Sequence, residues 1–137
     1  MALTIAGWIE CAIGNAENAI EHLLQAERLS PRDQKGWFIV GGLSLAYYLS
    51  ERYDESVSAA RRALRENPRF TIALRILAAS FAKLGRQEEA AVAVQELLRI
   101  DPKLTISLWK AGRHAMAFTE DVQNRICEGL RLAGLPE

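Results

Sequence analysis

An all-α fold, built as a helix-turn-helix solenoid with capping helices at its C-terminal end, is what this sequence predicts, and three observations carry that reading. Pro31, Pro68 and Pro102 recur at intervals of 37 and 34 residues. Each follows the same run of slots, small, then apolar, then small or apolar: Ala19, Leu23 and Ala26; Ser56, Ala60 and Ala63; Ala90, Val94 and Leu97. Turn residues divide the units into paired helices at Gly14-Asn15, Ser50-Glu51-Arg52 and Gly85. A period near 34 with such slots marks stacked hairpins, none of which can bury its apolar faces alone.

The elements follow in order. Residues 3–13 read as a helix that is apolar on most sides. Asn15 is an N-cap for a helix over 16–29, where Ala16, Ala19, Ile20, Leu23, Leu24 and Ala26 fall at helical spacing. Ser30-Pro31 stops it, because proline biases the preceding residue away from helix. A longer helix is expected over 33–49, opening near Asp33. This unit has three extra residues, which as helix would add about 4.5 Å and rotate its phase. Gly41-Gly42 marks a bend or a close helix crossing. Helix 53–66 is amphipathic, with Val57, Ala60 and Leu64 on one stripe and Arg61, Arg62 and Arg65 opposite. Helix 70–83 ends at Gly85, and helix 87–100 closes at Asp101-Pro102. A weakly periodic helix over 104–116 is followed by one over 120–133, opened by Thr119 and stopped by Gly134-Leu135-Pro136.

This order divides the single domain into repeat 1 (1–33, read as truncated), repeat 2 with its insertion (34–70), repeat 3 (71–104) and a C-terminal capping helix pair (105–137). The last pair is expected to cover the exposed end of the array, as solenoids require for solubility.

Composition limits function. Seventeen basic residues balance seventeen acidic ones, so no long-range field draws the chain to nucleic acid or an anionic membrane. Cys11 and Cys127, with no CxxC spacing, read as reduced thiols in a cytoplasmic protein. The run Trp37–Leu49 is interrupted by Gly41, Gly42 and Ser44 and falls short of the ~18 residues that span a bilayer. The N-terminal residues lack the basic start of a signal peptide.

The slots resemble those of the tetratricopeptide repeat (TPR). The stretch Leu74–Pro102 fits best, with Leu77-Ala78, Phe81, Gly85, Ala90, Leu97 and Asp101-Pro102. The first unit keeps Gly7, Gly14, Ala19, Ala26 and Pro31; the second keeps Trp37, Tyr47, Tyr53, Ala63 and Pro68 but has Ser56 in an alanine slot. A narrower resemblance rests on ARRALRENPRFTIALRILAASFAKLGRQEEA, LLRIDPKLTI and the closing GLRLAGLPE, which are similar to the C-terminal TPR region of bacterial class III adenylate/guanylate cyclases. The stretch 109–126 departs from that pattern, and no segment matches the catalytic domain, so no catalytic or nucleotide-binding residue carries over. With Leu3 already inside a helix, the chain reads as a C-terminal fragment or a shortened relative of a larger protein.

Catalysis has little support. His22 and His114 lie far apart, neither in a metal-ligand pattern, and neither a phosphate loop nor a GxSxG elbow occurs. Glu88-Glu89 and Glu120-Asp121 sit at helix starts, where the macrodipole favours negative charge. Cys11 and Cys127 read as small buried hydrophobes. The Arg61-Arg62-Arg65 cluster reads as a solvated face near Glu55 and Glu66, with docking of an acidic partner as the competing reading.

The TPR resemblance implies a protein-binding role, with the first helix of each pair lining a concave groove. By register Trp8, Phe38, Ile72, Arg75, Ala79, Lys83 and Trp109 should project there, where aromatic and arginine side chains dominate binding. Packing of Trp8, Phe38 and Trp109 within the array is the equal alternative. The Lys/Asn/Arg clamp by which some chaperone-binding TPRs hold a peptide carboxylate is missing, since Thr4, Trp8, Ile72 and Ile76 fill the matching slots; a C-terminal EEVD-type ligand is not expected. The resulting expectation is a non-enzymatic regulatory or scaffolding region of a bacterial adenylate cyclase. It would need no cofactor, and it would bind a partner protein or the upstream catalytic domain and assist homo-oligomerisation. A free-standing TPR adaptor is the alternative.

Overall fold

The computed structural model describes residues 1–32 and 35–137, and these fold into helices and the turns between them. The helices are α1 (Ala2–Ala12), α2 (Ala16–Leu29), α3 (Gly36–Leu49), α4 (Tyr53–Glu66), α5 (Thr71–Lys83), α6 (Gln87–Ile100), α7 (Ile106–Ala111) and α8 (Glu120–Ala133), with a 3-10 turn over Ala115–Ala117. No strand occurs among the described residues, and the solenoid predicted from the periodicity is present. No helix among them is long and apolar enough to cross a membrane.

The three hairpins α1–α2, α3–α4 and α5–α6 reverse in the same way. Gly14, Glu51 and Gly85 adopt left-handed backbone, at φ +88°, 61° and +77°. The next amide then reaches back to a carbonyl of the helix just ended: Asn15 to Glu10 at 2.8 Å, Arg52 to Tyr47 at 2.8 Å, Arg86 to Phe81 at 2.9 Å. Carbonyls left without partners by the helix end are satisfied in this way. Connections between hairpins also repeat. Ser30, Asn67 and Asp101, each before a proline, leave the helix at φ −138°, −139° and −134°.

Two expectations change. The helix expected over 33–49 is α3, described from Gly36 to Leu49. The expected start at Asp33 lies outside the described residues. With α3 14 residues long, like α2 and α4, the added length and phase shift do not arise. Helix 104–116 is also shorter than expected. It runs only Ile106–Ala111, where Gly112 turns to extended backbone at ψ 159°. Six residues without sustained apolar periodicity cannot hold a longer helix against that exit.

Helix α5 is the centre of the packing, touching α3, α4, α6 and α8. Ala73, Ala78, Ala79 and Ser80 on it are fully buried, and short side chains let its neighbours approach on several sides. The hydroxyls that replace alanine here are not idle. Ser80 Oγ donates to Ser56 Oγ at 2.9 Å, Ser56 Oγ to the Ser44 carbonyl at 2.7 Å, and Ser44 Oγ to the Gly41 carbonyl at 2.6 Å. This chain joins α5, α4 and α3 in a dry interior, so Ser56 in its alanine slot is a substitution with a partner on each side. The Gly41-Gly42 pair makes a close crossing: a Cβ at Gly41 would lie 2.3 Å from the Phe70 ring.

On the outer side, Arg62 pairs with Glu27 of α2 at 2.6 Å and Arg61 with Glu89 of α6 at 3.2 Å. The partners are thus on neighbouring hairpins. Both pairs are exposed and worth ~0–1 kcal/mol each.

Among the three hairpin turns only Glu51 carries a side chain in left-handed backbone, at a cost of about 1–2 kcal/mol. Glu51→Gly is expected to raise the unfolding free energy by about 1 kcal/mol. Urea denaturation followed by circular dichroism would measure it.

Candidate functional site

The first helices of the hairpins, α1, α3 and α5, lie side by side and form the inner face. Across their C-terminal ends runs α8. The Thr119 amide donates to the Ala12 carbonyl of α1 at 2.9 Å. Tyr48 Oη, on α3, donates to the Arg125 carbonyl at 2.6 Å, and the Arg125 guanidinium returns a bond to the Leu49 carbonyl. Lys83 of α5 pairs with Glu128 at 2.8 Å, and Gln87 Nε2, just beyond, donates to the Leu132 carbonyl at 2.8 Å. The last helix therefore occupies one half of the trough with the chain's own residues. It shields apolar surface of the last hairpin, as a cap should, and also reaches back to the first.

Gly129 sets how closely α8 can lie. A Cβ there would sit 2.3 Å from the Tyr48 hydroxyl and 2.5 Å from Ala79 Cβ. The closing motif GLRLAGLPE then fixes the return of the chain. Gly134, at φ 103°, lets the Leu135 amide bond the Leu130 carbonyl at 3.1 Å, and both leucines are buried. Beyond it, the Pro136 and Glu137 carbonyls accept from the Ile106 and Ser107 amides at 2.8 and 3.1 Å, tying the C-terminus to α7.

The other half of the trough stays open. It is a groove of about 460 Å³ lined by Ile5, Trp8, Ile9 and Ala12 of α1, Phe38 of α3, Ile72 of α5, and Arg113, His114, Ala117 and Phe118 from the segment before α8. Trp8 stacks on Phe38 with ring centroids 5.0 Å apart, and its indole N–H donates to the Phe38 carbonyl at 3.2 Å. Trp37 and Phe70 complete this aromatic cluster. Trp8 and Phe38 therefore pack on each other and also line the groove. Ile5 and Ile9, 50% and 56% exposed, are large apolar side chains facing water beside it. Arg113 is the only charged residue named in this lining.

The structure divides the residues that register placed in the trough. Trp8, Phe38 and Ile72 share the open groove. Ala79 is fully buried beneath α8, and Lys83 is engaged by Glu128. Arg75 and Trp109 form a separate pair beside it, with the guanidinium carbon 5.6 Å from the indole ring centroid. Sequence reasoning did not single out Ile5, Ile9, Arg113, His114 or Phe118 as groove residues. Ile5 and Ile9 carried a usable signal: with Trp8 they place apolar residues on adjacent positions of one helix end, more than a single buried stripe needs.

Burial, then Glu10, pushes the Cys11 thiol up to about 12, and it donates weakly to the Gly42 carbonyl at 3.6 Å. Burial likewise raises Cys127. Neither is activated as a thiolate nucleophile would need. Among the described residues no group of three or more His, Cys, Asp and Glu could hold a metal.

Residues 42–104 match the family model for the tetratricopeptide repeat. That stretch runs from α3 through α6 to the start of the C-terminal segment. No curated protein matches the chain. Tetratricopeptide repeats are a non-catalytic fold that generally mediates protein–protein contacts.

Gly129→Val is expected to push α8 off Tyr48 and Ala79, costing about 1–3 kcal/mol as overpacking does. Hydrogen exchange should then quicken over 119–137 and the Tyr48 ring should become solvent-accessible, while α2 and α4 keep their protection.

Proposed function

We propose that this chain is a protein-interaction module that holds an apolar segment of a partner in the groove between α1, α3, α5 and residues 113–118. One observation carries the reading: Ile5 and Ile9 stand exposed beside an open cleft floored by Trp8, Phe38 and Ile72. Large apolar side chains gathered at a concave site mark interaction surfaces, and buried aromatic anchors supply most of the energy there. The rigid frame under them lowers the entropic cost of binding.

Ile9→Asp places a charge in the cleft at an exposed position, so folding should survive. It is expected to abolish capture of the proteins that the wild-type chain pulls down. Val92→Asp, 60% exposed on α6 and away from the groove, should capture them normally. Equal capture by both variants would refute the groove.

The finer reading is a regulatory region of a bacterial, cytoplasmic adenylate cyclase, supported by the resemblance in 60–90, 97–106 and 129–137. Its partner would be the catalytic domain or a second copy of the chain. The encoding reading frame is then expected to continue upstream into a cyclase catalytic segment, and light scattering should find a species larger than the monomer at high micromolar concentration. A frame without that segment would favour the free-standing adaptor, and a monomer would remove the oligomer.

A further inference from the structure

Arg75 is 8% exposed, and none of its guanidinium nitrogens has a hydrogen-bond or ion-pair partner among the described residues. Its guanidinium carbon lies 5.6 Å from the centroid of the Trp109 ring. Trp109 is itself buried, and its indole N–H also lacks an acceptor. Both line a cavity of about 230 Å³ with Thr71, Leu97, Asp101, Leu104, Leu108, Gly112 and His114. A buried cation without a counter-charge and a buried donor without an acceptor are each costly, and native interiors rarely keep them side by side unused. The first turn of α5, where Thr71 sits, adds to the imbalance: it has no side-chain cap and no acidic residue. Desolvation lowers the Arg75 pKa to about 10, so the group remains a cation at neutral pH.

We propose that this cavity is a carboxylate site, filled by an aspartate or glutamate side chain of the segment that occupies the neighbouring groove. The planar guanidinium matches a carboxylate in shape and charge, and the Trp109 N–H supplies a further donor. Size and charge exclude larger or more highly charged anions. The space suits a side-chain head group and not a nucleotide, and a single cation with the Asp101 carboxylate also in the lining disfavours a phosphate dianion more than a monoanion. His114 lines both the cavity and the groove, so the two spaces adjoin. Complementarity points the same way, because the groove names Arg113 and no acidic residue in its lining. The site is not built from the slots of a repeat clamp. It forms only because the chain after α6 folds Leu104, Leu108 and Trp109 back over Arg75.

The assignment rests on the protein-binding reading for the source of the carboxylate, and its chemistry can be tested without any partner. In NMR titrations of the whole chain, sodium acetate is expected to shift the Trp109 indole and Arg75 Nε–H resonances saturably. The dissociation constant should be on the order of 10 mM, as expected for so few ligand atoms. Sodium chloride at equal ionic strength should not do so, and phosphate should bind more weakly. Asp101→Asn should tighten acetate severalfold by removing a like charge. Arg75→Gln should abolish the Trp109 shift while leaving the Trp8 and Trp37 indole signals in place, which reports that the array is still folded. A short apolar peptide carrying one glutamate should bind tighter than its glutamine twin and move Trp8 as well as Trp109.

No saturable shift with acetate, a shift reproduced by chloride, phosphate binding the tighter, or binding seen only in Asp101→Asn would overturn the site. Acetate binding with equal affinity for the two peptides would overturn the docked segment as its source. Acetate binding together with loss of discrimination by Ile9→Asp in the capture assay would leave the cavity standing and remove the groove alone.

Discussion

Close approach of helices at small side chains is the constraint on which the rest of this molecule depends. Helix α5 has neighbours on several sides because Ala73, Ala78, Ala79 and Ser80 present little bulk. Gly129 extends the same principle to α8, which lies against Ala79 with no room for a methyl group. Larger residues then fill the spaces that remain, as Leu23, Leu43, Leu45 and Leu97 do. The trough inherits its depth from this arrangement. First helices held closely side by side leave a narrow valley, and α8 enters it along one half only.

That partial filling shapes the surface left open. An open trough across all three hairpins would offer one long, mixed surface. Here the chain's own C-terminal helix takes the half that includes Ala79 and Lys83, and what is left is short, apolar and aromatic. The same folding-back carries Trp109 over Arg75 and creates a second cavity beside the first. The groove and the cavity therefore both depend on the segment after the repeats, not on the repeats alone.

The regularity of the hairpins was legible because its signals are local. Glycine in left-handed backbone at 14, 85 and 134 and proline after extended residues at 31, 68 and 102 act within a few residues of themselves. The length of α3 was misjudged for the same reason: nothing local says that the helix begins at Gly36 and not earlier. The short α7 shows the limit too, since a six-residue helix owes its place to ties with the C-terminus and α8 more than to its own pattern. Along the groove, register alone put Trp8, Phe38 and Ile72 on the inner face. It also put Ala79 and Lys83 there, without any sign that a helix some 45 residues away in sequence from Lys83 would cover them.

By itself the sequence determined the helical class, the repeat, the turn chemistry and the direction in which each first helix points, because all of these follow from spacing and backbone preference along one chain. Only the tertiary structure decided where α8 lies, which half of the trough stays open and that Arg75 is buried against Trp109 without an ion-pair partner. Those outcomes come from contacts between segments distant in sequence: a tyrosine hydroxyl on Arg125, a missing side chain at Gly129, and two carbonyls at the C-terminus that hold α7 in place.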